Sequence, residues 1–175
     1  MLFRSSDLGY DVWVRRDQAD EALRALVRSG ATPIDHGVWD VLRTEAGIPV
    51  YGVDIDETTV LPELGERGIS YEKGCYIGQE VVARVKYIGH VAKCFVGMVA
   101  EGNDLAEIRG AIRKDGKEVG YVTTSLYSPG LSRPIAMGFV QRPAATAGAV
   151  VQLVGLKSIM NATIVQLPFI APSVA

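Results

Sequence analysis

Lys73-Gly74-Cys75-Tyr76-Ile77-Gly78-Gln79-Glu80 is the most chemically loaded string in this chain. Two glycines bracket the cysteine, a cation precedes it by two positions, and two polar side chains follow. Glycine permits positive φ and close approach of backbone to a ligand. A cation such as Lys73 favours the thiolate of a neighbouring cysteine, the reactive and metal-binding form. The plainer alternative is a turn entering a strand, with Cys75 as a small buried hydrophobe, and composition alone favours it.

A second string, Leu42-Arg43-Thr44-Glu45-Ala46-Gly47, places Glu45 in the last turn of an expected helix. An acid there opposes the helix dipole at a cost of about 0.3–1 kcal/mol. That cost calls for a partner, either a ligand with paired N–H donors or a neighbouring Arg or Lys. A third string, Asp54-Ile55-Asp56-Glu57, clusters three acids without the spacing of a calcium loop, and a solvated loop is the expectation. His36 and His90 are the two histidines, and neither sits in zinc-enzyme spacing. Phosphate-binding glycine loops and a GxSxG nucleophile elbow are lacking.

The elements that must carry these strings follow from periodicity. Tyr10, Val12 and Val14 alternate with Asp11, Trp13 and Arg15, a strand pattern. Asp17 is placed to cap a helix whose face is Ala19, Leu23, Leu26 and Val27, with Gly30 as its stop. A second helix is expected over about 38–46, with Val38, Trp39, Leu42 and Ala46 as its stripe and Gly47 ending it. Trp39 is expected in the core and Trp13 on a more exposed face. Seven β-rich runs follow, at 81–88, 91–100, 107–113, 117–124, 135–140, 149–154 and 159–167. Asp115-Gly116 suits the positive φ angles of a type I′ hairpin. Short strands at this spacing suggest a small barrel or sandwich. The reading is therefore α+β: a small antiparallel sheet with helices over 1–82, then a β-barrel over 83–175.

Bulk composition narrows the function. Of 175 residues 48% are apolar and 22% charged, with 18 Lys and Arg against 20 Asp and Glu. A net charge of −2 supplies no general reason to bind nucleic acid. No apolar run reaches the roughly 20 residues of a membrane helix. Two cysteines without a CxxC pair, and an opening that turns polar at once, imply a reducing, cytoplasmic setting.

Leu42 to Asp56, LRTEAGIPVYGVDID, resembles the segment shared by glycine-cleavage T-proteins and YgfZ-like proteins. Lys73 to Glu80, KGCYIGQE, resembles the YgfZ branch in particular, since T-proteins usually lack the cysteine. Gly120 to Ser125 and Ile135 to Val140 are similar to the C-terminal barrel of the same superfamily. The resemblance runs from about residue 4 to 168.

The resemblance implies a tetrahydrofolate-binding accessory protein of iron–sulfur cluster assembly or repair. Glu45 becomes the leading contact to the pterin, Lys73 and Cys75 the working residues, and Tyr51 and Arg84 lesser cavity-lining candidates. Folate is the implied ligand, with iron–sulfur client or assembly proteins as partners. The alternatives are an aminomethyltransferase fragment of one-carbon metabolism and a non-catalytic interaction domain. Family members carry a long stretch ahead of the point where this sequence begins, which builds the other cavity wall and, in T-proteins, supplies the catalytic aspartate. Lacking it, the chain is expected to have an incomplete pocket, doubtful independent aminomethyl transfer and apolar surface prone to self-association.

Overall fold

The computed structural model describes residues 12–66, 69–71, 74–87 and 89–171. Two helices open the described chain, α1 over Ala19–Arg28 and α2 over His36–Glu45. The expected cap at Asp17 is not used: this residue lies in a 3-10 turn, Arg16–Gln18, that leads into α1. α2 is capped by Asp35, whose Oδ1 accepts the Val38 N–H at 2.8 Å. Gly47 ends it at φ 66°, where the Gly47 N–H donates to Thr44 O and the Ile48 N–H to Arg43 O. That pairing closes the helix and turns the chain away from it.

A third helix, α3, occupies Gln79–Tyr87, where β-rich composition predicts a strand. The valines that suggest a strand instead fall at helical spacing, and Val82 is the one buried. Arg84 and Glu80 pair one turn apart at 2.8 Å, a contact that only the helix permits.

The six strands are β1 Lys93–Ala100, β2 Ala111–Lys114, β3 Lys117–Ser128, β4 Arg133–Gln141, β5 Val150–Val154 and β6 Ile159–Val165. They close in the order β1-β4-β3-β2-β5-β6, every described pairing antiparallel. Alternation along each strand fills the interior with Met98, Ile112, Val122, Val140, Leu153 and Ile164, all essentially buried. The α+β class and the barrel are as expected. Of the small sheet expected ahead of the barrel, the described residues hold an isolated bridge between Tyr51 and Ile55, and residues 12–15 lie in no ladder, while Tyr10 and Asp11 of the expected strand lie outside the described residues.

The outer face of β1 and β4 carries a second apolar cluster, Phe95, Met137 and Phe139, covered by Ile55, Leu64, Leu167 and Phe169. Gly97 makes this possible, because a Cβ there would collide with Leu167 and the Phe169 ring. The chain after β6 and the chain before β1 thus meet on one side of the barrel, where α2 ends.

Candidate functional site

Glu45 sits where three pieces of chain converge. Its Oε1 accepts the Ser128 hydroxyl at 2.5 Å and the Gly130 N–H at 3.0 Å, both from the end of β3 and the turn after it. Its carbonyl accepts the N–H groups of Phe169 and Ile170 at 2.9 and 3.2 Å. Ser128 is fully buried and accepts in turn from Leu131 N at 3.0 Å. Two donors to a charged oxygen, each contributing roughly 1.5–3 kcal/mol, outweigh the dipole cost of an acid at a helix end. The partner expected from sequence is therefore a hydroxyl and a backbone N–H, not an Arg or Lys. The second oxygen, Oε2, accepts no hydrogen bond from the described residues.

Two residues earlier on the same helix, Arg43 enters a buried polar hub. Its Nη1 lies 2.6 Å from Asp54 Oδ2, its Nε 3.0 Å from Asp40 Oδ1 and its Nη2 3.3 Å from Thr124 Oγ1. Asp54 Oδ2 also accepts the Val50 N–H at 3.0 Å. Its Oδ1 takes the hydroxyls of Thr123 and Thr124 at 2.5 and 2.6 Å. The Asp54 side chain is fully buried, and all its acceptor positions are engaged. The hub fixes α2 to β3 and so fixes where Glu45 meets Ser128.

The acidic string thus divides. Asp54 is buried, against the expectation of a solvated loop. Asp56 stays exposed and accepts from the Thr58 hydroxyl at 2.6 Å and the Thr58 N–H at 2.9 Å, which together hold its carboxyl below the ordinary value. Glu57 accepts the Tyr51 hydroxyl at 3.3 Å. Among the described residues no three His, Cys, Asp or Glu side chains are grouped to hold a metal ion.

The other sequence candidates lie apart from Glu45 in their contacts. Tyr51 is exposed and engaged with Glu57. Arg84 is exposed on α3 and paired with Glu80. Cys75 is an exposed free thiol ahead of α3, not a buried hydrophobe. Lys73 lies outside the described residues. An open apolar groove of about 350 Å³ runs beside this segment, lined by Val60, Leu61, Ile69, Tyr76, Ile77 and Val81.

Residues 93–170 match the family model of the glycine cleavage T-protein C-terminal barrel domain. The chain is similar to that domain over all six of its barrel strands. It is 32% identical to an aminomethyltransferase of Halothermothrix orenii over 95% of this chain and 48% of that protein. It is 35% identical to an aminomethyltransferase of Rubrobacter xylanophilus over 92% of this chain and 43% of that protein. The crystal structure of glycine cleavage system aminomethyltransferase T from Bartonella henselae superposes with a TM-score of 0.74, at 22% identity, over 86% of this chain and 43% of that one. That likeness is one of fold. The chain spans about half the length of the aminomethyltransferases it matches.

The residues that sequence reasoning passed over are Thr123, Thr124 and Ser128, and it quoted Arg43 and Asp54 without pairing them. The signal available for them is weak: an Arg two positions from the candidate acid, and two threonines in succession within a strand.

Proposed function

We propose that this chain supplies a tetrahydrofolate-binding wall of an aminomethyltransferase-type protein, with Glu45 as its pterin contact. The observation that carries the reading is the half-engaged carboxylate. Oε1 is pinned by Ser128 and Gly130, which orients Oε2 for an N–H donor of a ligand. A pterin ring presents such donors in a plane, and a fixed carboxylate can accept a pair of them. The aminomethyltransferases among its relatives support the same reaction class. Two free cysteines agree with a reducing, cytoplasmic setting.

Calorimetric titration with tetrahydrofolate under reducing conditions tests this. Saturable binding that weakens about tenfold or more in Glu45→Gln is expected, the size of a lost charged hydrogen bond. Equal affinity of the two proteins removes Glu45 from the site. No binding, even after the first half of a relative is supplied, overturns the reading.

A second reading has the Lys73–Glu80 string behind it: a YgfZ-type accessory protein of iron–sulfur metabolism, with Cys75 as the working thiol. The exposure of Cys75 supports it. Relatives named as aminomethyltransferases favour the first reading. Loss of iron–sulfur enzyme activity in a complementation assay with Cys75→Ala, despite normal folding, is the result this second reading requires.

A further inference from the structure

The last turn of a helix presents carbonyls that need donors from beyond it. In α2 nearby residues answer three of them: Leu42 O accepts the Ala46 N–H, Arg43 O the Ile48 N–H and Thr44 O the Gly47 N–H. The fourth is Glu45 O. Its two donors, the N–H groups of Phe169 and Ile170, come from the segment after β6.

That segment, Leu167–Ile170, is seated where side chains are missing. A Cβ on Gly97 in β1 would lie 2.8 Å from Leu167 Cδ2 and 2.8 Å from Phe169 Cζ. A Cβ on Gly47, just past α2, would lie 2.7 Å from Leu167 Cβ. A Cβ on Gly130 would run into Ile170 Cδ1 and would stand 3.1 Å from Glu45 Oε1. The Ile170 side chain therefore packs beside the hydrogen bond from Gly130 to Glu45. Glu45 is held at both ends, its carbonyl by the backbone of this segment and its carboxylate by Ser128 and Gly130. Among the described residues the backbone hydrogen bonds of Leu167–Ile170 are the two to Glu45 O. The rest of its hold is packing of Leu167 and Phe169 on the cluster of Phe95, Met137 and Phe139. A segment with so few bonds opens more readily than a barrel strand.

We infer that Leu167–Ile170 is a strap that positions Glu45, and that its closure is coupled to ligand binding at that acid. Opening the strap takes away the donors to Glu45 O and the packing of Ile170 on the Gly130 turn, so the helix end and the carboxylate loosen together. The coupling is reciprocal: a ligand that binds the fixed carboxylate holds the strap shut. This coupling rests on the reading of Glu45 as the pterin contact, whereas the positioning does not. Phe169 and Ile170 act through Glu45 and are positioning residues.

Two variants disturb the strap and leave every residue that touches the Glu45 carboxylate in place. Gly97→Ala puts a methyl group under Leu167 and Phe169. Ile170→Ala, at a position 36% exposed, removes the packing at Gly130 with little demand on the fold. Residue-resolved hydrogen exchange without ligand reads the strap at the Phe169 and Ile170 amides, the carboxylate grip at the Gly130 amide, and the fold at Val151 and Leu153 in β5. In Gly97→Ala, exchange about fivefold faster or more is expected at Phe169, Ile170 and Gly130, with β5 unchanged. Ile170→Ala should speed Gly130 to a similar degree, and Ile170→Val should restore it. Should Gly97→Ala fail to fold, the two Ile170 variants decide. A Gly130 amide that keeps its rate when the strap is disturbed overturns the positioning and leaves the strap a cover for Phe95 and Phe139. With saturating tetrahydrofolate, the Phe169 and Ile170 amides of the unaltered chain should slow about fivefold or more, and those of Glu45→Gln at the same concentration should not. Tetrahydrofolate that binds without slowing them overturns the coupling. A chain that binds no tetrahydrofolate overturns the coupling together with the reading of Glu45, while exchange without ligand still decides the positioning.

Discussion

Thr123 and Thr124 are adjacent in sequence, yet both hydroxyls donate to one oxygen of Asp54. A regular strand sends consecutive side chains to opposite faces. Here β3 shifts register against β4 between Val122 and Thr124, and the extra residue brings both threonines to the same side. The bulge lets the barrel grip Asp54, Asp54 holds Arg43, and Arg43 stands two residues before Glu45. A strand irregularity thereby sets the position of the candidate ligand-binding acid.

Asp54→Asn keeps the shape of this hub and removes its negative charge. Arg43, 6% exposed, is then left with Asp40 as its carboxylate partner. Breaking a buried pair from one side typically costs about 3–5 kcal/mol, and a loss of that size in urea unfolding is expected. Arg43→Met combined with Asp54→Asn should lose less than the two single changes summed, because no buried charge is stranded. Full additivity, or an unchanged unfolding midpoint in Asp54→Asn, would show that the hub does not fix α2.

Lys93 and Glu63 form a second tie between the first segment and the barrel. Glu63 is 8% exposed, and its Oε2 accepts no hydrogen bond from the described residues. The Lys93 ammonium lies 3.8 Å from that oxygen and 4.3 Å from the centre of the Phe139 ring. Removing the cation leaves a buried carboxylate without its counter-charge. Lys93→Met should destabilise the fold more than Glu63→Gln does. A double-mutant cycle should give a coupling of about 1–3 kcal/mol, below the buried-pair range because solvent still reaches part of Lys93. A coupling near zero would make this pair incidental to stability.

The sequence is most legible where one residue type has one structural use. Asp115 and Gly116 take φ angles of 51° and 75°, as a type I′ hairpin requires, and Gly47 stops α2 where its spacing predicts. The six barrel strands fall within or close to their expected runs. Legibility fails where the outcome depends on a distant partner. Asp54 reads as solvated because its side-chain partners lie 11, 69 and 70 positions away. The run 81–88 reads as a strand because valine suits either state, and only the pairing of Arg84 with Glu80 and the burial of Val82 favour the helix. Trp39 reads as core because the stripe it belongs to is apolar, whereas it stands 42% exposed among the described residues. At Glu45 the need for a partner is visible in the sequence, but its identity rests on Ser128, 83 positions away.

Asp104 provides a test of how the barrel loops are held. It lies in the connection after β1, where its Oδ2 accepts the N–H groups of Lys157 and Ser158 at 3.0 and 3.1 Å and its Oδ1 that of Leu105 at 2.9 Å. These bonds, the one from Lys157 foremost, hold the carboxyl below its ordinary value of 3.8. A carboxyl depressed in the folded state adds stability above its unfolded pKa and loses it as pH falls through the folded value. Thermal unfolding followed from about pH 6 down to about pH 2.5 should show the melting temperature falling below about pH 5, the window that this linkage sets. In Asp104→Asn the fall should be shallower, and the gap between the two proteins should narrow toward the acid end, where both side chains are neutral. Two curves that stay parallel across the range would mean that the Asp104 carboxylate does not bind these loops together through its charge.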